Sequence, residues 1–244
     1  MSNRPTYRNS HVGEGFGDYY DGLIAGKYDG VVWERFVRPF LEDTLKSERS
    51  DGKSRYLDFA CGTGRITTVG ANLFQDATGI DISADMVAVA RHRAPSCGYV
   101  VADITREPDA VAGMFDCITA FRFFLNAEPL LREQAMAWLA AHAVPGAALI
   151  GNIHMNPYSL SGAATVVANR VFAKPVNYMS RHGMQALLSR HGFALEHWRG
   201  FRFMPTLKGH AVLPGKLQAG LDGWMAHGPL QLLGSDQVFI ARRR

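Results

Sequence analysis

Residues 56–64 combine an acid and two glycines in an order that suits nucleotide binding. Asp58 lies in a short apolar run, and Gly62 and Gly64 follow it with one residue between them. Because glycine has no Cβ, it lets the backbone turn sharply and lets a ligand lie against it. The residues that follow have an apolar spacing typical of a helix, at Ile66, Val69, Gly70 and Leu73. The stretch therefore predicts a strand, a tight turn and a helix, with a nucleotide-type loop at the carboxyl end of the strand.

The spacing of the glycines excludes two common nucleotide motifs. A dinucleotide fingerprint needs a third glycine three residues after the second, and this chain has Thr67 there. A Walker loop needs Gly-Lys-Ser/Thr, which the sequence lacks. The pattern that remains, Asp58-x-Ala60-x-Gly62-x-Gly64, resembles the first motif of the class I S-adenosylmethionine-dependent methyltransferases.

Three later segments strengthen this resemblance. Asp81 ends a second predicted strand, where an acid can accept hydrogen bonds from both ribose hydroxyls. Asp103 belongs to a third predicted strand over residues 99–104, and the resemblance implies that it receives the adenine amino group. A fourth buried strand covers residues 115–121. Structural alternatives stay open: Asp58 could cap the turn that follows, Asp81 could be a surface acid, and Asp103 could cap a helix.

The resemblance is detailed over residues 55–153 and looser towards the C-terminus, and it implies S-adenosyl-L-methionine as the cofactor. Tyr19 belongs to an aromatic and acidic stretch over residues 16–21, which resembles the lid of many small-molecule members but could also anchor the first helix. Ile82 is expected to flank the adenine. The cofactor-binding residues expected from the family are Tyr19, Asp58, Ala60, Gly62, Gly64, Asp81, Ile82, Asp103, Ile104 and Phe121.

Polar residues after the fourth and fifth strands are the candidates for the acceptor side, because an open α/β sheet binds ligands at this edge. Arg122, Asn126 and Asn152 are the expected acceptor contacts. The methyl group of a sulfonium is already activated, so catalysis is mainly placement, although a hydroxyl acceptor would benefit from a base. His154 is the candidate base, since histidine titrates near neutral pH. Arg122 could instead be a surface or packing residue, and His154 could be structural.

The function predicted is methyl transfer to a small-molecule or glycan-like acceptor. Enzymes that methylate DNA bases carry an acid or Asn, two prolines and an aromatic residue after the fourth strand, and residues 121–126 do not have this pattern. The net charge of +4 is scattered apart from residues 242–244, so a nucleic-acid partner is not expected. The alternatives are a protein or RNA methyltransferase, or a relative that binds the cofactor without catalysis.

These motifs require a doubly wound α/β fold, and 244 residues suit a single methyltransferase domain over residues 1–244. A helical cap is expected over residues 1–50, with a helix over 28–45 that Pro39 kinks or splits and whose apolar stripe is Val32, Phe36 and Phe40. The cofactor-binding core covers 52–153, with its fifth strand at 147–153. The acceptor side and the last strands cover 154–244, including a cover insertion with helical spacing at Leu217, Leu221 and Trp224. The resemblance implies a sheet of seven mostly parallel strands, Rossmann-like, with an antiparallel last strand.

Composition limits the remaining possibilities. The sequence has no run of eighteen apolar residues, so no membrane span is expected, and the polar first 17 residues do not resemble a signal peptide. Three cysteines, an odd number, favour a reducing compartment and a cytoplasmic location. His182, His191 and His197 lack metal-ligand spacing, so no metal is expected. The sequence makes no prediction of oligomeric state.

Overall fold

The computed structural model describes residues 7–9, 27–49, 55–171, 179–207 and 209–244. The strands are β1 Arg55–Phe59, β2 Asp76–Asp81, β3 Gly98–Val101, β4 Phe115–Ala120, β5 Ala143–His154, β6 Phe193–Phe201, β7 Thr206–Leu207, β8 His210–Ala211 and β9 Asp236–Arg243. The α-helices are α1 Tyr28–Val32, α2 Arg38–Glu48, α3 Arg65–Ala71, α4 Ala84–Arg93, α5 Pro129–His142, α6 Leu160–Val171, α7 Arg181–Arg190 and α8 Gly215–Met225.

Seven of these strands form one sheet in the order β3-β2-β1-β4-β5-β9-β6. β9 runs antiparallel to both of its neighbours, β5 and β6, and the pairs from β3 through to β5 are parallel. The chain order reverses between β1 and β4, which is where an open α/β sheet leaves a crevice for ligands. This confirms the predicted doubly wound, seven-stranded fold with an antiparallel last strand.

Helices cover both faces of the sheet because successive side chains of a strand point to opposite faces. Tyr56 packs in a cluster with residues of α2 and α3, and the adjacent Leu57 packs in a second cluster with residues of α5 and α7. Both side chains are fully buried. Strands buried on both faces read as continuous apolar runs, which is why β1 and β4 stand out in the sequence.

The N-terminal helix is split, and its buried face differs from the expected one. A π-helical segment, Trp33–Val37, joins α1 to α2, and the N–H of Arg38 bonds the carbonyl of Trp33. Pro39 follows at the start of α2, where its missing N–H is tolerated. The expected stripe was Val32, Phe36 and Phe40. The wider π turn moves the buried face by one residue, so the stripe instead consists of Val32, Val37, Leu41 and Leu45.

The boundaries of three other predicted segments also change. β3 ends at Val101, so Asp103 lies beyond the strand rather than at its end. β5 is longer than the predicted 147–153, beginning at Ala143. The insertion between β6 and β9 contains the predicted helix, α8, and the unpredicted hairpin of β7 and β8. No helix in the described ranges is long and apolar enough to cross a membrane.

Candidate functional site

A pocket opens at the carboxyl edge of the sheet, beside the reversal between β1 and β4. Residues that follow β1, β2, β3 and β4 all reach it. The predicted site residues that line the pocket are Asp58, Ala60, Gly62, Asp81, Ile82, Asp103, Ile104, Phe121, Arg122, Asn126 and Asn152. Gly64 and His154 are not among the lining residues, and Tyr19 lies outside the described residues.

Strained backbone marks the same edge of the sheet. Within the described ranges, four non-glycine residues have positive φ: Ala60 at 56°, Arg122 at 59°, Met155 at 95° and Arg202 at 54°. They directly follow, or lie within two residues of, the ends of β1, β4, β5 and β6. A left-handed conformation is costly for residues with a Cβ, and such strain gathers at functional sites. The surrounding fold must therefore hold this edge in place.

Asp81 connects the end of β2 to the glycine loop after β1. Its Oδ2 accepts a hydrogen bond from the N–H of Gly62 at 2.8 Å, and its Oδ1 accepts one from the N–H of Ser83 at 2.9 Å. Ser83 in turn caps α4 by accepting from the N–H of Met86. Because each carboxylate oxygen has two lone pairs, these bonds are compatible with the predicted role of Asp81 towards ribose hydroxyls. They make Asp81 more than an ordinary surface acid.

Asp58 is a buried acid with structural partners. Its Oδ2 accepts from the Thr67 hydroxyl at 2.5 Å and its Oδ1 from the Thr119 hydroxyl at 2.8 Å, which ties β1 to α3 and β4. Burial raises the pKa of Asp58 to about 7, and the nearby charge of Asp81 adds to this, although the threonine hydrogen bonds oppose it. The hydrogen bonds of Asp58 to Thr67 and Thr119 are thus structural. Asp58 also lines the pocket, where a ligand could interact with it.

The two loop glycines are needed for different reasons. A Cβ at Gly62, where φ is 53°, would meet no atom within 4 Å. A Cβ at Gly64, where φ is 78°, would lie 2.8 Å from the Cβ of Ala90 in α4. The expectation that a ligand approaches the backbone at both positions therefore fits Gly62, which lines the pocket. Gly64 instead allows close packing of the loop against α4.

Arg8, in the described segment 7–9, contacts Asp103 at one end of the pocket. Arg8 Nε lies 2.7 Å from Asp103 Oδ2, and Arg8 Nη2 donates to the Thr105 hydroxyl at 2.6 Å. Thr105 also donates to Asp103 Oδ1, so Asp103 organises the turn after β3 in the manner of a cap. Burial alone would raise the pKa of Asp103, but hydrogen bonds from Thr105 and Arg8 lower it below its usual value. Sequence reasoning missed Arg8 because no spacing signal links it to residue 103.

The loop after β4 brings together the three predicted acceptor residues. The N–H of Arg122 donates to Asn152 Oδ1 at 2.6 Å, and Asn126 Nδ2 donates to the carbonyl of Arg122 at 2.6 Å. Both asparagines thus hold the left-handed backbone of Arg122. The Arg122 guanidinium lies 3.6 Å from Asp29 Oδ2. Arg122 is therefore one half of an ion pair at the pocket wall, with Asp29 a partner that the sequence did not reveal.

The position of His154 differs from the position expected of a catalytic base, because His154 does not line the pocket. It ends β5 opposite Asp236 of β9, and its Nδ1 is buried without a hydrogen-bond partner among the described residues. Burial, with the charges of Arg122 and Arg202, lowers the pKa of His154 to about 3. The ring is therefore neutral at physiological pH and a weak base. These observations favour the structural alternative, and a catalytic role for His154 stays a prediction.

Two further charged residues, Arg202 and Asp236, lie close to Asp29 and were missed from the sequence. Arg202 Nη1 lies 2.6 Å from Asp29 Oδ1, and its Nε lies 3.4 Å from Asp236 Oδ2. Asp29 and Asp236 both line the pocket. Three distant segments meet here, since Asp29 is in α1, Arg202 follows β6 and Asp236 begins β9. Within the ranges that the structure describes, no group of three or more His, Cys, Asp or Glu side chains could hold a metal ion.

Comparison with known proteins agrees with this geometry. Residues 57–146 match the family model of a methyltransferase domain. The chain is similar to dTDP-3-amino-3,6-dideoxy-alpha-D-glucopyranose N,N-dimethyltransferase of Streptomyces fradiae, with 29% identity over 186 residues, 70% of this chain and 71% of the relative. It is also 32% identical over 116 residues to a protein of Geobacillus sp. (strain WCH70) that is named as a methyltransferase. That match covers 46% of this chain and only 44% of the relative, so it spans less than half of the relative's length.

Solved structures share the fold over the whole chain. Magnesium protoporphyrin IX methyltransferase (ChlM) from Synechocystis PCC 6803, solved with bound SAM, has a TM-score of 0.64 and 13% identity, with all of both chains covered. A methyltransferase from Archaeoglobus fulgidus has a TM-score of 0.59 and 15% identity, covering 93% of this chain and 100% of that one. Residues 57–146 thus match a methyltransferase domain, and the chain shares the fold of solved methyltransferases.

Proposed function

We propose that this protein binds S-adenosylmethionine in the pocket between β1 and β4 and transfers its methyl group to a small-molecule acceptor. The observation that carries the proposal is the arrangement at the sheet edge. Asp81, at the end of β2, holds the glycine loop after β1, inside a pocket that also contains Asp103 after β3 and polar residues in the loop after β4 and in β5. Polar and apolar groups converge in one concave site, as ligand binding requires.

The residues present suit the parts of this cofactor. In this proposal, Asp81 accepts hydrogen bonds from the ribose hydroxyls, and its bond to the N–H of Gly62, which holds the loop, supports this role. Ile82 and Ile104 supply apolar surface for the adenine, and Asp103 lies beside them in the pocket wall. A Cβ at Gly62 would meet no protein atom, which is consistent with a ligand lying against the backbone there. When bound, S-adenosylmethionine supplies a methyl group that is already activated by its sulfonium.

The chain's own contribution to the reaction is then mostly placement. Holding the acceptor in line with the methyl group can lower the barrier by roughly 7–11 kcal/mol at the upper end. Asn126 and Asn152 fix the loop that carries Arg122, so the acceptor side has a rigid wall. His154 is neutral and does not line the pocket, so placement explains the reaction better than proton abstraction by a histidine.

A small molecule is the acceptor class that the similarities favour. The Streptomyces fradiae relative is named for an amino-sugar nucleotide, and the Synechocystis structure is named for a porphyrin. The pocket is a cleft lined by charged side chains, including Asp29 and Arg122, which suits a small polar molecule. A protein or RNA acceptor, or cofactor binding without catalysis, would be recognised by the absence of turnover with small acceptors.

The proposal is tested by turnover. The protein is incubated with S-adenosylmethionine and a library of small amines, phenols and sugar nucleotides, and the formation of S-adenosylhomocysteine is followed together with a methyl-group gain in mass of one acceptor. We expect the wild type to turn over at least one acceptor and Asp81→Ala to show no turnover. A protein that binds neither S-adenosylmethionine nor S-adenosylhomocysteine would contradict the proposal.

A further inference from the structure

We infer that Asp236 is an acceptor-binding residue, and that it selects acceptors whose reacting group is an amine. The inference rests on the proposed function, because it names the substrate class of the same pocket. Asp236 begins β9, between the ends of β5 and β6, and it lines the pocket together with Asp29, Arg122 and Asn152. It is thus on the side of β4 and β5, away from the residues assigned to the cofactor.

The hydrogen-bonding state of Asp236 distinguishes it from the other acid on this side. Asp29 is engaged by two arginines, at 2.6 Å from Arg202 and 3.6 Å from Arg122. Among the described residues, Asp236 has one ion pair, in which its Oδ2 lies 3.4 Å from Arg202 Nε. Its other oxygen, Oδ1, is buried and has no hydrogen-bond partner within the described ranges.

A buried oxygen without a partner is costly, since burial removes water that nothing replaces. Asp236 lines the pocket, and an ionised carboxylate only accepts hydrogen bonds, so a ligand group that bonds its side chain must present an N–H or O–H donor. The carboxylate also repels a phosphate or carboxylate at this point. The group that enters beside Asp236 is therefore a hydrogen-bond donor, with a positive or neutral charge.

An amine fits the rest of the pocket better than a hydroxyl. A hydroxyl needs a base to remove its proton, whereas a neutral amine attacks with its own lone pair. Within the described residues, no histidine or lysine lines the pocket. The nitrogen lone pair forms the new N–CH₃ bond, the S–CH₃ bond breaks with its electron pair left on sulfur, and the methylated nitrogen then releases a proton to water. Asp236 holds the N–H and stabilises the positive charge that develops on the nitrogen.

The test uses cofactor analogues to which a mimic of the acceptor's reacting group is covalently attached. The acceptor itself therefore does not have to be known. In each, a tertiary amine replaces the sulfur of S-adenosylhomocysteine and bears an arm that ends in an amino, a hydroxyl or a methyl group. A series of arm lengths is included for each end group. Affinities are measured by titration calorimetry for the wild type, Asp236→Asn and Ser235→Ala.

Ser235→Ala is the matched control, because Ser235 and Asp236 are both partners of Arg202 Nε. The Ser235 hydroxyl accepts from it at 2.7 Å, so both variants weaken one contact of Arg202, but only Asp236→Asn removes the carboxylate charge from the pocket. The best amino arm is expected to bind the wild type about tenfold or more tightly than the matching methyl arm, as for a charge-assisted hydrogen bond. Asp236→Asn should lose this preference, and Ser235→Ala should keep it.

Affinity for S-adenosylhomocysteine itself should be equal, within about twofold, in all three proteins, since Asp236 lies outside the cofactor's part of the pocket. An amino arm without advantage at any length, or an advantage that survives Asp236→Asn, would overturn the inference while leaving the proposed function intact. No binding of S-adenosylhomocysteine to the wild type would overturn the proposed function and the inference with it. If Asp236→Asn fails to fold, the affinities of the wild type for the amino, hydroxyl and methyl arms still test the inference.

Discussion

Oδ2 of Asp81 accepts a hydrogen bond from the N–H of Gly62 at 2.8 Å, which joins the end of β2 to the loop after β1. Two adjacent strands thereby shape one wall of the pocket. The same carboxylate is proposed to receive the cofactor ribose, so its loss affects the loop and the ligand together.

Asp81→Ala is expected to weaken binding of S-adenosylhomocysteine by roughly 1.5–3 kcal/mol, the cost of losing charge-assisted hydrogen bonds. Titration calorimetry measures the effect. The control is Asp76→Ala at the other end of β2, where an exposed acid pairs with Arg55. The control should bind like the wild type, and an unchanged affinity in Asp81→Ala would remove Asp81 from the site.

The two glycines of the loop are expected to respond differently to alanine. Gly64→Ala should lower the melting temperature clearly, because the new Cβ would lie 2.8 Å from the Cβ of Ala90 and φ is 78°. Gly62→Ala has no such overlap, so its structural cost is only the positive φ, on the order of 1–2 kcal/mol. Gly62→Ala should nevertheless weaken cofactor binding, since this position lines the pocket. Thermal unfolding and calorimetry on both variants give the comparison, and a folded Gly62→Ala protein with wild-type affinity would contradict it.

Binding of S-adenosylmethionine should depend on pH through Asp58. In the folded protein the pKa of Asp58 is raised to about 7 by burial, so the side chain is largely protonated below that pH. A cationic ligand favours the ionised form, and binding must then release a proton. The affinity should therefore rise as the pH increases towards about 7 and level off above it, by at most about tenfold per pH unit.

The control for this prediction is Asp58→Asn, which keeps the shape of the side chain without its charge. Its affinity should be lower than that of the wild type at pH 8 and should vary less between pH 5.5 and 8. Calorimetry in buffers of different ionisation enthalpy reports the released proton directly. The same pH dependence in both proteins would assign it to another group.

His154→Gln is expected to change stability more than catalysis. Burial lowers the pKa of His154 to about 3 from its ordinary 6.5, so below pH 6.5 the unfolded chain takes up a proton that the folded chain does not. The free energy of unfolding should fall as the pH decreases through this range, and His154→Gln should remove that part of the loss. Turnover should change by less than about tenfold, whereas removal of a general base costs roughly 10²–10⁴. A loss of that size, together with loss of an ascending limb of the pH–rate profile, would show that His154 is the base.

The sequence was sufficient to predict the sheet and the pocket residues that lie in or next to β1 and β2. Asp58, Gly62 and Asp81 lie next to short apolar strands, and in a parallel sheet such strands bring their ends to one edge. The fold is confirmed and residues 57–146 match a methyltransferase domain, while the roles of the individual site residues stay predictions.

Several ion pairs at the pocket could not be predicted because they join distant parts of the chain. Arg8 reaches Asp103, and Arg202 joins Asp29 to Asp236. No periodicity in the sequence records such pairs. His154 illustrates the same limit, since its position after a strand suggested a base, whereas its burial next to two arginines keeps it neutral.

A crystal structure of the protein with S-adenosylhomocysteine would show whether the pocket between β1 and β4 holds the cofactor. We expect one ligand molecule there. Its ribose hydroxyls should lie within hydrogen-bond distance of Asp81, its adenine should lie beside Ile82, Asp103 and Ile104, and the ligand should contact the protein backbone at Gly62. The sulfur should point towards Arg122, Asn152 and Asp236. A ligand bound elsewhere, or a pocket that stays empty at saturating concentration, would contradict the proposed function.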